Sequence, residues 1–207
     1  MEKILNHPLI KHKISILRDE KTTTKEFREL ISEIAMFLCY EALSDAKTYD
    51  KKIKTPIMET TGQIINEDNY AFVPILRAGM GMVDGVLKVM PNAKIGHIGL
   101  YRNEETLEPV KYYYKLPKNI ESKEVFLLDP MLATGGSAVN AITMLKNDGV
   151  KKIKFLCIIA AQEGINKIKE IHPDVDIYIA NLDEGLNNIG YIYPGLGDAG
   201  DRIYGTK

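Results

Sequence analysis

The sequence is poor in cysteine, has no long apolar run, and carries charges that almost cancel. Its two cysteines, Cys39 and Cys157, sit in the apolar stretches IAMFLCYEAL and KIKFLCIIAA. Two such thiols in a 207-residue chain make no disulfide framework, and a reducing, cytoplasmic setting is expected. No run approaches the roughly 20 apolar residues that a membrane-spanning helix needs, so no membrane partner is expected. The first residues, MEKILNHPLIKHKIS, scatter charges where a secretory signal would be apolar, so none is expected. Lys plus Arg total 27 and Asp plus Glu 28, a net charge of −1. No global field draws the chain to nucleic acid or an anionic surface, so any anion site must be local. The four histidines, His7, His12, His97 and His172, lack metal-ligand spacing and read as structural or exposed. Repeats, low-complexity segments and interdomain linkers are also missing. Residues 1–207 read as one domain long enough to bury a sizeable core.

What is present is an alternation of apolar strands and helices. Thr23 and Glu26 have the spacing of a capping box, and Phe27, Leu30, Ile31, Ile34, Leu38 and Leu43 recur at helical intervals behind them. This predicts a long amphipathic helix. IKTPIM and GQII are expected to pair as a hairpin. YAFVPIL predicts a strand, followed by Arg77, Gly79, Gly81 and a helical GMVDGVLKVM. KIGHIGLY, EVFLLD, KIKFLCIIAA and VDIYIAN follow as further strands, with SAVNAITMLKNDG and QEGINKIKEIH as helices between the last of them. Strands rich in Val and Ile alternating with helices predict an α/β fold with a central, mostly parallel sheet flanked by helices. The tail from Asp183 to Arg202 is Gly-rich and too short for a domain. It is expected to fold over a ligand.

The strongest local signal is VFLLDPMLATGGSAVNAI. A buried strand, Val125 to Leu128, ends in Asp129. Pro130, Met131, Leu132 and Ala133 then lead to Thr134, Gly135, Gly136 and Ser137, where a helix begins. Ligands of open α/β sheets bind beyond the carboxyl ends of the strands. The glycines let backbone N–H groups turn toward an anion, and the helix start adds unpaired N–H groups and a positive dipole end. The hydroxyls of Thr134 and Ser137 add donors. The loop thus fits a phosphate monoester. The plain alternative is a βα turn with Ser137 as helix cap. It lacks the lysine of GxxxxGK[ST], so a nucleoside triphosphate loop is disfavoured. Arg77, beside close-approach glycines, suits a diphosphate through its planar fork. Arg102, at the end of KIGHIGLY, reads equally well as an anion ligand or a solvated charge. GLGDAG, Gly195 to Gly200, matches GxGxxG, but too few residues follow for a helix and the rest of a βαβ unit, so a dinucleotide site is excluded.

These motifs resemble the type I phosphoribosyltransferases, and within them the uracil branch. Many members carry two adjacent acids after the strand. Here Asp129 is followed by Pro130, as in the uracil branch. PILRAG (Pro74 to Gly79), GLYRNEETLEPVKYYYKLP (Gly99 to Pro117) and YIYPGLGDAGDRIYGT near the C-terminus resemble the same branch. Asn103 departs from it where an aspartate is expected. The resemblance implies a phosphoribosyltransferase-type fold with a hood from the N-terminal arm and about residues 183–203. It implies transfer of the ribose phosphate of 5-phosphoribosyl 1-diphosphate (PRPP) to uracil, giving UMP and diphosphate in pyrimidine salvage. Arg77, Arg102, residues 129–137 and Asp198 would bind PRPP. Ile192, Gly197, Asp198, Ala199 and Ala133 would bind uracil, with Ala133 near its C5. Asp198 and Arg102 would be catalytic. Mg²⁺ would be held mainly by PRPP, with Asp198 as a further ligand. A homo-oligomer, dimer or tetramer, and a GTP effector are also implied, with no nucleic acid partner. An RNA-binding regulator on the same fold is the alternative, and it would want a clustered basic face that does not stand out.

Overall fold

A computed structural model describes residues 1–102 and 109–206. In chain order the elements are β1 (Glu2–Ile4), α1 (Pro8–Arg18), α2 (Thr24–Ala42), β2 (Thr48–Lys54), β3 (Glu59–Ile65), β4 (Tyr70–Leu76), α3 (Val83–Val89), β5 (Lys94–Ile95), β6 (His97–Arg102) and β7 (Pro109–Lys115). There follow β8 (Glu124–Leu128), β9 (Met131–Leu132), α4 (Gly136–Asn147), β10 (Lys152–Ala160), α5 (Gln162–Ile171), β11 (Asp176–Leu182), β12 (Gly185–Leu186), β13 (Ile192–Tyr193) and α6 (Ala199–Tyr204).

One sheet of nine strands organises the fold, in the order β1-β11-β10-β8-β4-β6-β7, with β5 on β4 and β9 on β10. Every pair in it is parallel except β6 with β7. The central strands are continuous apolar runs because helices cover both faces. Side chains alternate between those faces. From β8, Phe126 and Leu128 join a core with Phe27, Ile31 and Leu38 of α2 and Val86 of α3. Val125 and Leu127 join a second core with Ala141, Ile142 and Leu145 of α4 and Ile165 and Ile168 of α5. The α/β class and the mostly parallel sheet follow the sequence reading.

Local sequence explains the boundaries. The Thr23 and Glu26 capping box is complete, with Thr23 Oγ1 accepting from Glu26 N–H and Glu26 returning a carboxylate to Thr23 N–H. The helix stops at Ala42, so Leu43, the last residue of the expected apolar stripe, is its C-cap. The hairpin forms as β2 with β3, but displaced: IKTPIM supplies the end of β2 and the turn, and its strands are mostly exposed. The segment Ala78–Met82 is a tight 3-10 turn, and α3 begins only at Val83. The tyrosine-rich stretch, unassigned by pattern, is strand β7. Its solvent-facing lysines and tyrosines hide the alternation on which a strand reading rests. A six-residue helix, α6, begins inside GLGDAG at Ala199, and among the described residues no strand follows it.

Both thiols are free and buried. Burial pushes Cys39 up to about 12, and Cys157 is raised as well. His7 caps α1 by accepting from Leu9 N–H, and His172 lies 3.0 Å from Thr143 Oγ1. No described helix is long and apolar enough to cross a membrane.

Candidate active site

Parallel strands bring their carboxyl ends to one edge of the sheet. β4 leads into Arg77 and β8 into Asp129, and these two strands are neighbours. They are also where the chain reverses its direction of build-up: β4 and β6 lie to one side, β8, β10 and β11 to the other. A crevice at such a switch point is where α/β sheets bind ligands. The two edges are locked together by Gly79. A Cβ there would stand 2.5 Å from Leu128 O, so only glycine lets the Arg77 turn approach the end of β8.

The loop of residues 129–137 emerges from this crevice. Pro130 and Leu132 are buried and anchor it, while Thr134 and Ser137 are exposed at its tip. Pro130 O accepts from the N–H groups of Ile158 and Ile159 on β10. Gly135 caps α4 at φ +78°, a conformation that suits glycine, and no side chain caps that helix. Its first N–H groups are thus available to an anion at the tip. Ser137 is therefore not the helix cap. Ala133 is half-buried and packs against the apolar cluster that holds Ile192, Leu196 and Ala199.

Asp129 sits at the bottom. Its Oδ1 accepts from Met131 N–H at 3.3 Å. Burial pushes its carboxyl up to about 7, against the smaller lowering effect of that N–H. A neutral acid and a carboxylate are then both accessible near neutral pH.

Arg77 is exposed and lies 3.5 Å from Asp201 Oδ1, with its guanidinium 5.8 Å from the Tyr204 ring centroid. Tyr204 Oη donates to Arg77 O at 2.9 Å. Asp198 caps α6: its Oδ1 accepts from Asp201 N–H at 2.9 Å. Arg77 and Asp198 converge above Gly200, where a Cβ would stand 3.2 Å from Asp198 Oδ1 and 3.8 Å from Arg77 Nη2. Gly197 and Asp198 line a cleft shared with Glu20 to Thr24. Ile192 and Ala199 are buried, and Gly197 is exposed at φ +78°. Arg102 closes β6, but its side chain lies outside the described part of the chain, as does Asn103.

Three residues that sequence reading passed over hold this edge. Arg18, at the end of α1, pairs through both terminal nitrogens with Asp183. Arg202 donates to Leu17 O, Leu196 O and Asp19 O at 2.8, 2.9 and 2.6 Å, with its guanidinium 4.4 Å from the Phe27 ring centroid. Asp183 follows the apolar strand β11 as Asp129 follows β8, a repeated pattern that could have marked it.

The family model described as uracil phosphoribosyltransferase matches residues 4–206. The chain belongs to the uracil phosphoribosyltransferase family. Uracil phosphoribosyltransferases from Lachnoclostridium phytofermentans and Finegoldia magna are each 59% identical over 204 residues, 99% of this chain and 98% of theirs. A solved structure of a protein from Aquifex aeolicus superposes with a TM-score of 0.92 at 46% identity, covering 99% of this chain and 98% of that one. An adenine phosphoribosyltransferase from Trypanosoma brucei, at 12% identity and a TM-score of 0.60 over 93% of this chain and 85% of that one, shares the fold.

Proposed function

We propose that this protein catalyses transfer of the ribose 5-phosphate unit of PRPP to N1 of uracil, releasing diphosphate and forming UMP. The family match from residue 4 to residue 206 carries this reading, with the loop, Arg77 and the Asp198 segment gathered at one sheet edge in support. No described feature favours the RNA-binding alternative. UMP formed from uracil and PRPP by the purified protein is the test; no UMP under those conditions would refute it.

In this reading the tip of residues 134–137 takes the 5-phosphate on backbone N–H groups, the two hydroxyls and the start of α4. Asp129 accepts hydroxyl hydrogens of the ribose. Arg77 and Arg102 take the diphosphate. As the C1–diphosphate bond lengthens, negative charge grows on the leaving oxygens, and the fixed guanidinium charge stabilises it. Uracil lies against Ile192, residues 197–199 and Ala133, with N1 aimed at C1. Its O2, N3–H and O4 meet backbone groups of this segment.

Among the described residues no group of three or more His, Cys, Asp or Glu could hold a metal ion. Asp198 is a single carboxylate with one oxygen engaged in capping. That donor set fits Mg²⁺ carried mainly by substrate oxygens, with Asp198 as its protein ligand. Bound Mg²⁺ would supply further neutralisation of the diphosphate. Loss of activity in EDTA and its return with Mg²⁺ would test this.

The protein in this reading is a cytoplasmic homo-oligomer, a dimer or tetramer. Two apolar surfaces support assembly: Tyr49, Ile53, Ile57 and Met58 on the hairpin, and the groove of Ile4, Leu9, Phe37 and Tyr40. Light scattering gives the mass, and a monomer would refute it. GTP as effector is testable as a change in rate at fixed PRPP.

A further inference from the structure

We propose that Asp183, held by Arg18, is a positioning residue that sets the backbone which reads the base. The proposal rests on the reading of Ile192 and residues 197–199 as the uracil site.

The Asp183 side chain is fully buried. Taking a carboxylate out of water is costly unless its acceptor sites are filled. Here they are. Oδ1 accepts from Arg18 Nη2 and from Asn181 Nδ2 at 2.7 Å; Oδ2 accepts from Arg18 Nη1 at 2.7 Å and from Gly195 N–H at 3.0 Å. The donors come from α1, from β11 and from the loop after β13. Asp183 itself is tied to the sheet, its N–H donating to Ala160 O at 2.8 Å. Arg18 Nη1 also donates to Gly195 O at 2.6 Å. Both backbone polar groups of Gly195 are thus fixed by one ion pair.

Gly195 transmits that position. It stands at φ +66°, and a Cβ on it would lie 2.1 Å from Ile192 O. The loop is folded so tightly that moving Gly195 moves Ile192 on one side and Leu196 and Gly197 on the other. Backbone recognition of a flat heterocycle depends on placing N–H and C=O groups to within a few tenths of an ångström, which no side-chain rotamer can correct afterwards. Among the described residues no hydrogen bond joins this ion pair to Arg77, Asp129 or the 134–137 tip. Its effect should fall on the base and not on PRPP.

The experiment compares steady-state kinetics of Asp183→Asn, Arg18→Lys and Gly197→Ala with wild type, varying uracil and PRPP separately. Asn at 183 turns an amide NH₂ toward a buried donor, and the lost charged contact corresponds to roughly tenfold or more in uracil KM, with PRPP KM within about twofold. Arg18→Lys keeps the charge but loses the fork, and should shift uracil KM in the same direction by less. It carries the test if Asp183→Asn fails to fold. Gly197→Ala alters the base segment itself and reports on the underlying reading. If Gly197→Ala raises uracil KM while the two clamp variants do not, the positioning role is overturned. If clamp variants lower kcat and worsen both KM values together, the pair is merely structural and the proposal is equally overturned. If Gly197→Ala leaves uracil KM unchanged, the base-site reading has failed instead, and the proposal falls with it.

Discussion

Arg77 and Asp201 face each other at 3.5 Å, a cation from the end of β4 and a carboxylate on α6, with Tyr204 beside them. In the proposed complex the diphosphate oxygens would compete with this carboxylate for the guanidinium. Replacing Arg77 by Ala should raise the KM for PRPP far more than that for uracil, by about 1.5–3 kcal/mol for a lost charged hydrogen bond. Arg77→Lys should recover only part, because an ammonium lacks the planar fork. Arg102→Ala should resemble Arg77→Ala. Wild-type kinetics in both Ala variants would place the diphosphate elsewhere.

In the proposed reading Asp129 should give PRPP binding a pH dependence. Its carboxyl is raised to about 7 by burial, and in the proposed complex its ionised form would accept hydrogen bonds from the ribose hydroxyls. Binding therefore releases a proton at pH 6, and affinity should rise with pH through about 7 and level off above it. Asp129→Asn should bind weakly at all pH values and lose the slope. The linkage to stability has the opposite sign. A raised carboxyl favours the folded state most below the usual carboxylate range, and that contribution declines as pH rises through 7. Calorimetric titration of PRPP across pH 5.5–8.5 in buffers of different ionisation enthalpy, about half a unit apart, reads the proton count. No slope would remove Asp129 from the ribose site.

Asp198 caps α6 and in the proposed reading is also catalytic, two roles that substitution can separate. As cap of α6 it accepts from Asp201 N–H, and Asn caps helices as well as Asp does. Asp198→Asn should therefore keep its melting temperature and lose kcat. Asp198→Ala should lose kcat and also about 1 kcal/mol of stability. Full kcat in Asp198→Asn would reduce the residue to its capping role.

In the proposed complex Ala133 would set the room beside C5 of the base. It is half-buried against the cluster containing Ile192. 5-Fluorouracil should be accepted and thymine should be a poor substrate. Ala133→Gly should admit thymine better, and Ala133→Val should impair even uracil. Thymine used by wild type as well as uracil would take Ala133 out of the pocket.

What the sequence revealed follows the periodicity of its residues. The strand Val125 to Leu128 was legible because it is buried on both faces and so is apolar throughout, and the glycines after it fix the loop's character. The capping box at Thr23 was legible because both partners are three residues apart. β1 and α1 were not read, although Pro8 at the helix start and Ile10, Ile14 and Leu17 at helical spacing mark α1. The Arg18–Asp183 pair was invisible for a different reason: its partners lie 165 positions apart, and only the fold brings them together. Asp201 was missed likewise, since an acid directly after the glycine loop of residues 195–200 carries no pattern of its own.

The most direct measurement is the product formed when the purified protein, PRPP and Mg²⁺ are given uracil, cytosine, adenine or hypoxanthine in turn. A backbone edge that matches O2, N3–H and O4 places like groups against the N3 and amino group of cytosine, and two buried mismatches allow rejection on the order of 10⁴ in kcat/KM. The account predicts UMP and diphosphate in equal amounts from uracil, and no comparable nucleotide from the other three. A purine nucleotide formed at a rate near that of UMP, or cytosine used as well as uracil, would contradict it.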